Sequence, residues 1–195
     1  MFISAILLAA GQSKRLKGSK LLLPIKNSTI LQTSIDNLLN SKAGEVIVVL
    51  GHEAEEKRKY IDSSRTKIVI NPNYMYGISS SLKAGIAVSD VNASGLLIAL
   101  ADQPFVSTEI INTLITGFIN GDRGIVYPVY DSRQGHPVIF STKYLDALLE
   151  LEGDTGARHI IRYNSDDVLE IRVDSPAVNF DIDSKEDYLA SLFWE

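Results

Sequence analysis

The chain has 195 residues, 45% hydrophobic and 22% charged, which suits one globular domain with a substantial core. A net charge of −5 argues against duplex nucleic acid held by bulk charge, so an anionic ligand has to be held by local groups. The absence of cysteine excludes disulfides, thiolate zinc sites and iron–sulfur clusters, and it fits a reducing, cytoplasmic setting.

In chain order, Ile3–Ala9 reads as a strand buried on both faces. It is a better strand than signal peptide, because basic residues follow the apolar run rather than precede it. No apolar stretch approaches the roughly 20 residues that span a bilayer, so a membrane is not expected as a partner. Gln12–Gly18 is polar and basic, hence a loop. Ser28 is placed to cap a helix through Asn40, with Ile30, Leu31, Ile35, Leu38 and Leu39 on one side. Glu45–Leu50 is a strand ended by Gly51, Glu53–Ile61 a charged helix and Lys67–Ile70 a strand, and Asn71-Pro72-Asn73 breaks the chain. Ser79–Val88 is helical, Gly95–Leu100 a strongly apolar strand and Thr108–Ile119 a helix. This order of strands and helices predicts a mainly parallel, doubly wound sheet, and continuous apolar strands agree with helices on both faces. Further on, Gly124–Tyr130 and His136–Phe140 predict an antiparallel hairpin. Lys143–Glu150 and Ala157–Arg162 are helical, Val168–Val173 is a strand, and Ser184–Phe193 is a C-terminal helix.

Three groups of residues carry chemistry. The first is the segment from Leu8 to Lys20, directly after the first strand. Small residues at Ala9, Ala10 and Gly11 let the backbone approach a ligand, and Lys14, Arg15, Lys17 and Lys20 follow. Spacing alone supports a phosphate loop and a solvated basic turn equally, and the P-loop pattern is absent. The second is Asp102, at the end of an apolar strand in Ala101-Asp102-Gln103-Pro104. It suits metal binding or a turn cap about equally. The third is Asp181-Ile182-Asp183-Ser184, where alternation puts both acids on one face, and where Asp183 or Ser184 also suits the cap of the last helix.

Leu8-Ala9-Ala10-Gly11, Ser13, Arg15 and Lys20 resemble the signature of nucleotidyltransferases that make dinucleotide forms of the molybdenum cofactor. Leu16 replaces that family's Met or Phe and Lys17 its glycine, with Gly18 one place later. Ala101–Pro104 resembles the family's metal-binding acidic motif, and Asn71-Pro72 through Gly77-Ile78-Ser79-Ser80-Ser81 resembles another segment. Gln134-Gly135-His136-Pro137 and Gly153-Asp154-Thr155-Gly156-Ala157-Arg158 match two more, and the acidic end near Asp183 completes the series.

The resemblance implies a three-layer α/β, Rossmann-like fold with a mainly parallel, mixed central sheet, forming a single domain over 1–195. Residues 1–105 would be its nucleotide- and metal-binding half and 106–195 its acceptor-binding half. It implies a nucleotide site of Leu8, Ala9, Ala10, Gly11, Ser13, Arg15, Lys20, Gly77, Ser79 and Ser80. The catalytic residues would be Arg15, Lys20 and Asp102, with Mg²⁺ on Asp102 and on Asp183, or Asp181 as second choice. Gly135, His136, Pro137 and Arg158 would meet the acceptor. Without the resemblance, Ser79 or Ser80 reads as a helix cap, His136 as a hairpin residue and Arg158 as a surface ion pair.

The implied reaction takes CTP, or GTP, and Mo-molybdopterin to a dinucleotide cofactor and pyrophosphate. Ala10, where the guanylyl branch more often has glycine, and Leu21-Leu22-Leu23-Pro24 resemble the CTP-using branch. Two other readings are a transferase for another phosphorylated acceptor, such as a sugar or polyol phosphate, and a non-catalytic carrier that passes the cofactor to a molybdoenzyme apoprotein of the xanthine dehydrogenase type.

Overall fold

The structure is a computed structural model, describing residues 1–12 and 19–194. Its elements are β1 (Ile3–Ala9), β2 (Pro24–Ile25), β3 (Ser28–Thr29), α1 (Ile30–Leu39), β4 (Glu45–Leu50), α2 (Ala54–Arg58), β5 (Lys67–Ile70), α3 (Ile78–Ile86) and β6 (Gly95–Leu100). They continue with α4 (Thr108–Asn120), β7 (Ile125–Tyr130), β8 (Arg133–Gln134), β9 (Val138–Ser141), α5 (Leu145–Leu149), α6 (Arg158–Tyr163), β10 (Val168–Arg172) and α7 (Lys185–Ser191). The main sheet runs β10-β7-β9-β6-β1-β4-β5, with β8 attached to β7. β1 pairs in parallel with β4 and β6, and β9 runs antiparallel to β6 and β7. The mixed, mostly parallel sheet is thus the one expected.

β1 lies inside the sheet, between β6 and β4, and its side chains build both cores. Ala5, Leu7 and Ala9 face the layer containing α1 and α4, while Ile6 and Leu8 face the layer of α3. A strand sends alternate side chains to opposite faces, so a strand covered on both sides is apolar throughout. Each fully buried Leu or Ile contributes about 1.5–3 kcal/mol before the entropy of ordering it. Helix α3 packs tightly on this strand because Gly85 has no side chain. A Cβ there would lie 2.5 Å from Ile6 Cγ2.

Several boundaries differ from expectation for local reasons. Thr29, not Ser28, caps α1, since its Oγ1 accepts the Gln32 N–H at 3.2 Å while Ser28 pairs in β3. The expected helix Glu53–Ile61 contracts to Ala54–Arg58, entered through Glu53 in the left-handed region at φ 52°. The hairpin is more elaborate than expected. Asp131 and Ser132, both at positive φ, fold β8 onto β7, and β9 then inserts between β7 and β6. Ser184 caps α7 in a reciprocal pairing with Asp187. Among the described residues, no helix is long and apolar enough to cross a membrane.

After β1 the chain builds β4 and β5 on one side, then returns to place β6 on the other. Such a reversal leaves a crevice beyond the carboxyl ends of the two diverging strands. The crevice therefore opens at Ala10, after β1, and at Asp102, after β6.

Candidate active site

Lys20 stands where these strand ends meet. It lies in a single helical turn, Lys20–Leu22, whose Leu21 is anchored in the core. Its side chain is only 8% exposed, and its Nζ donates to Asp102 Oδ2 at 2.9 Å and to Asp183 Oδ1 at 2.8 Å. Burial pulls the ammonium pKa down, but the two carboxylates outweigh it and hold the group above its ordinary value. The second acid arrives because the Ile182 N–H donates to the Asp102 carbonyl at 3.0 Å, so the two acidic segments run side by side. Ser184 takes the capping role, which allows the Asp183 carboxylate to face Lys20. Asp181 and Asp183 line one cavity, as alternation required, with Ile182 buried between them. Asp181 accepts from Gln103 Nε2 at 2.7 Å. Desolvation, then the Asp102 charge, raise its carboxyl pKa, while Gln103 and Lys20 oppose them.

This acidic cavity has a volume of about 500 Å³, and Ala10, Gly11, Gln12, Tyr74, Asp102 and Asp183 are among its walls. Among the described residues no group of three or more His, Asp or Glu side chains is gathered as a ready metal site. However, Asp102 and Asp183 already converge on one cation, Lys20 Nζ. Two hard carboxylate oxygens suit Mg²⁺, which commonly takes one or two protein carboxylates and fills its shell from phosphates and water.

A second cavity, of about 610 Å³, adjoins the first and shares Leu8, Ile78, Leu100 and Asp154 with it. Its walls are mostly apolar, including Leu82, Ile98, Val138, Phe140, Leu151 and Ile161. Arg158, His159 and Arg162 stand on it. Gln134 and His136 also line it, and burial keeps the His136 imidazole pKa below its ordinary value. Gly135 and Pro137 sit behind this wall, Gly135 close against Val178.

The partition between the cavities is the start of α3. The Ile78 N–H donates to Asp154 Oδ1 at 3.1 Å and the Ser79 N–H to the Gly153 carbonyl at 3.1 Å. Gly77 makes this contact possible, since it sits at φ 98° and a Cβ would lie 2.3 Å from the Gly153 carbonyl carbon. Gly77 lines the acidic cavity. Ser79 lines the apolar cavity instead. The Ser80 hydroxyl is spent inside the fold, donating to the Asn73 and Gly77 carbonyls and accepting from Asn71 Nδ2. Leu8 borders both cavities, whereas Ala9 is buried behind the loop. Neither cavity is confined to one half of the chain: Asp183 joins the first-half residues in one, and Leu8 and Ser79 join the second-half residues in the other. Ser13, Lys14, Arg15, Leu16, Lys17 and Gly18 lie outside the described residues.

Two features escaped the sequence reading. Lys57 is buried behind the start of the loop after β1, although its run of charges belongs to what the sequence marks only as a charged helix, Glu53–Ile61. Trp194 stacks on Phe105 at 4.4 Å and 8°, and meets Phe180 at 4.8 Å, so one ring touches the residues beside both acidic segments.

A doubly wound sheet with a crevice at its switch point, and a buried lysine between two convergent acids there, fit a nucleotidyltransferase. Residues 5–168 match the MobA-like NTP transferase domain, and the chain belongs to that family. It is 28% identical over 190 residues to the molybdenum cofactor cytidylyltransferase of Escherichia coli strain K12, with 97% of this chain and 95% of that protein covered. It is also 32% identical over 167 residues to nicotine blue oxidoreductase of Paenarthrobacter nicotinovorans, covering 82% of this chain and 81% of that protein. The crystal structure of Rv0371C in complex with manganese, from Mycobacterium tuberculosis H37Rv, superposes with a TM-score of 0.85 at 28% identity, covering 98% of both chains.

Proposed function

We propose that this single-domain enzyme transfers CMP from CTP to the terminal phosphate of Mo-molybdopterin, with Mg²⁺, in the cytoplasm. The observation that carries the reading is the meeting of Lys20 Nζ with Asp102 and Asp183 at the mouth of the switch-point crevice. Its support from likeness is the cytidylyltransferase relative, near full length, and the manganese complex of a structural neighbour. Relatives of one fold carry different activities, so the acceptor is argued from the cavity.

The acidic cavity takes the triphosphate and the apolar cavity the acceptor, which brings the reacting groups together at the α3 partition. The acceptor phosphate has its second pKa at about 6, so it is already a nucleophile near neutral pH and needs no general base. One of its oxygens bonds to the α-phosphorus while the bond from that phosphorus to the bridging oxygen breaks, and pyrophosphate leaves. Bound on Asp102 and Asp183, Mg²⁺ would neutralise charge on the phosphoryl oxygens. Lys20 exchanges carboxylate partners for phosphate oxygens and stabilises the leaving pyrophosphate, with Arg15 assigned beside it from the family pattern. Catalysis here is positioning and charge neutralisation.

The apolar walls suit a fused ring system, and Arg158 suits its anionic groups. They count against a sugar or polyol phosphate, whose hydroxyls would lose water without replacement. A pure cofactor carrier would need neither the convergent carboxylates nor the lysine between them, although delivery to a molybdoenzyme apoprotein is compatible with catalysis. Incubation with Mo-molybdopterin, each nucleoside triphosphate and Mg²⁺, followed by mass analysis, tests the reading. A cytosine dinucleotide product with pyrophosphate is expected. Absence of any dinucleotide overturns it.

A further inference from the structure

Among the described residues, Lys57 is the only buried lysine besides Lys20, and the proposed reaction makes no use of it. It is 1% exposed, on α2, with its ammonium at the carboxyl ends of β1 and β4. Nζ donates to the Ala9 carbonyl at 3.2 Å and to the His52 carbonyl at 2.7 Å. Beside this clasp, the His52 N–H donates to the Ala10 carbonyl at 3.1 Å. The roots of the loops after β1 and β4 are thus tied by one cation and one backbone bond.

The consequence follows from peptide geometry. In a planar trans peptide the carbonyl and the N–H point in opposite directions. Drawing the Ala9 carbonyl toward Lys57 therefore turns the Ala10 N–H away from it. Ala10 and Gly11 line the acidic cavity and Lys57 does not. An oriented N–H with a cation behind it favours an anion in front. A structural duty alone would be an expensive use of a buried ammonium, since an apolar side chain of similar length costs no desolvation.

We propose that Lys57 is a positioning residue for the nucleotide, one that turns the Ala9–Ala10 peptide toward the triphosphate and adds positive potential behind it. The assignment rests on the nucleotide reading of that cavity. The charged and titratable groups around the ammonium are Glu53, which favours its charge, and Lys20, which opposes it, with His52 contributing its carbonyl. Burial, the largest influence, pulls the ammonium pKa down to about 8. The charge is therefore present at neutral pH and is lost as pH rises through that value.

The test compares wild type with Lys57→Met, using calorimetry with CTP and with GTP in the presence of Mg²⁺, together with steady-state kinetics. The expected result for K57M is a roughly tenfold weaker triphosphate affinity, the size of one charge interaction at intermediate dielectric. Its kcat and acceptor KM stay within about threefold of wild type. Its melting temperature does not decide the matter, because loss of a desolvated charge is opposed by two carbonyls, of Ala9 and His52, left without their donor. Unchanged triphosphate affinity overturns the proposal, whatever the melting temperature. If K57M does not fold, the wild type decides by itself: affinity that declines through pH 8 supports the role, and affinity flat from about pH 7 to 9.5 overturns it. If the wild type binds neither triphosphate, the nucleotide reading has failed and the Lys57 assignment falls with it. Binding by the wild type with no change in K57M removes the Lys57 assignment alone.

Discussion

The two cavities share a wall but are built on opposite physical principles. The acidic one gathers carboxylates around a buried lysine, so its parts hold each other in place through charge and hydrogen bonds. The apolar one is shaped by packed side chains of the core beneath α3, and its cationic groups, Arg158 and Arg162, stand on it. Charged groups act over distance and tolerate little rearrangement, because an unpaired buried charge is costly. Apolar walls are forgiving of small volume changes but exclude polar groups. One cavity should therefore govern chemistry and the triphosphate, and the other the choice of acceptor.

Asp102→Asn is the strongest challenge to that division. It should lower turnover by about 10³-fold while circular dichroism and acceptor binding stay near wild type, as expected when one charge-stabilising group is lost. Residual turnover within tenfold of wild type would remove Asp102 from the chemistry. Arg158→Ala tests the other cavity. Its acceptor KM should rise by about 10–100-fold with the triphosphate KM unchanged, the range for a charge-assisted contact. A matching rise in triphosphate KM would mean the cavities are not separate subsites.

Between these lies the partition. Gly77→Ala forces a side chain against the Gly153 carbonyl at positive φ, and should destabilise the fold by about 1–3 kcal/mol while weakening both substrates together. A thermal melt and paired KM measurements check this, and loss of one substrate alone would show that the partition serves only one side. Trp194→Ala should lower kcat several-fold, about 3–10-fold, by loosening Phe105 and Phe180 beside the acids, and Trp194→Phe should restore most of it. Mg²⁺ titration of kcat separates this from simple destabilisation. The last is Ala10→Gly. Removing the methyl from the acidic cavity should shift the CTP-to-GTP preference by about 1–2 kcal/mol toward GTP, read by calorimetry, and tighter GTP binding in the wild type would count against the pyrimidine reading.

The strands and the acidic motifs were legible without coordinates because they are local or periodic. Ile3–Ala9 is apolar at every step except Ser4, which only a strand covered on both faces requires. Asp102 and Asp183 end or follow apolar segments and Lys20 closes a polar, basic loop; each neighbourhood left two readings, and the family resemblance chose between them. Their spacing in the chain says nothing about contact. Placing Lys20 Nζ within 3 Å of both acids depended on the parallel run of two distant segments, tied at Ile182 and Asp102.

Residue identity also hid several roles. Ser79 and Ser80 look equivalent in sequence, but helical rotation sends one to the apolar cavity and spends the other on Asn71, Asn73 and Gly77. Lys57 carries the same charge as its solvated neighbours, and only the packing of α2 behind β1 and β4 buries it. By itself, then, the sequence determined which segments become strands and which residue types are available at strand ends, since these follow from periodicity and propensity. Tertiary structure decided which charges meet, which carbonyls turn toward Lys57 and which cavity is apolar, because those depend on through-space distance and loss of water between residues far apart in the chain.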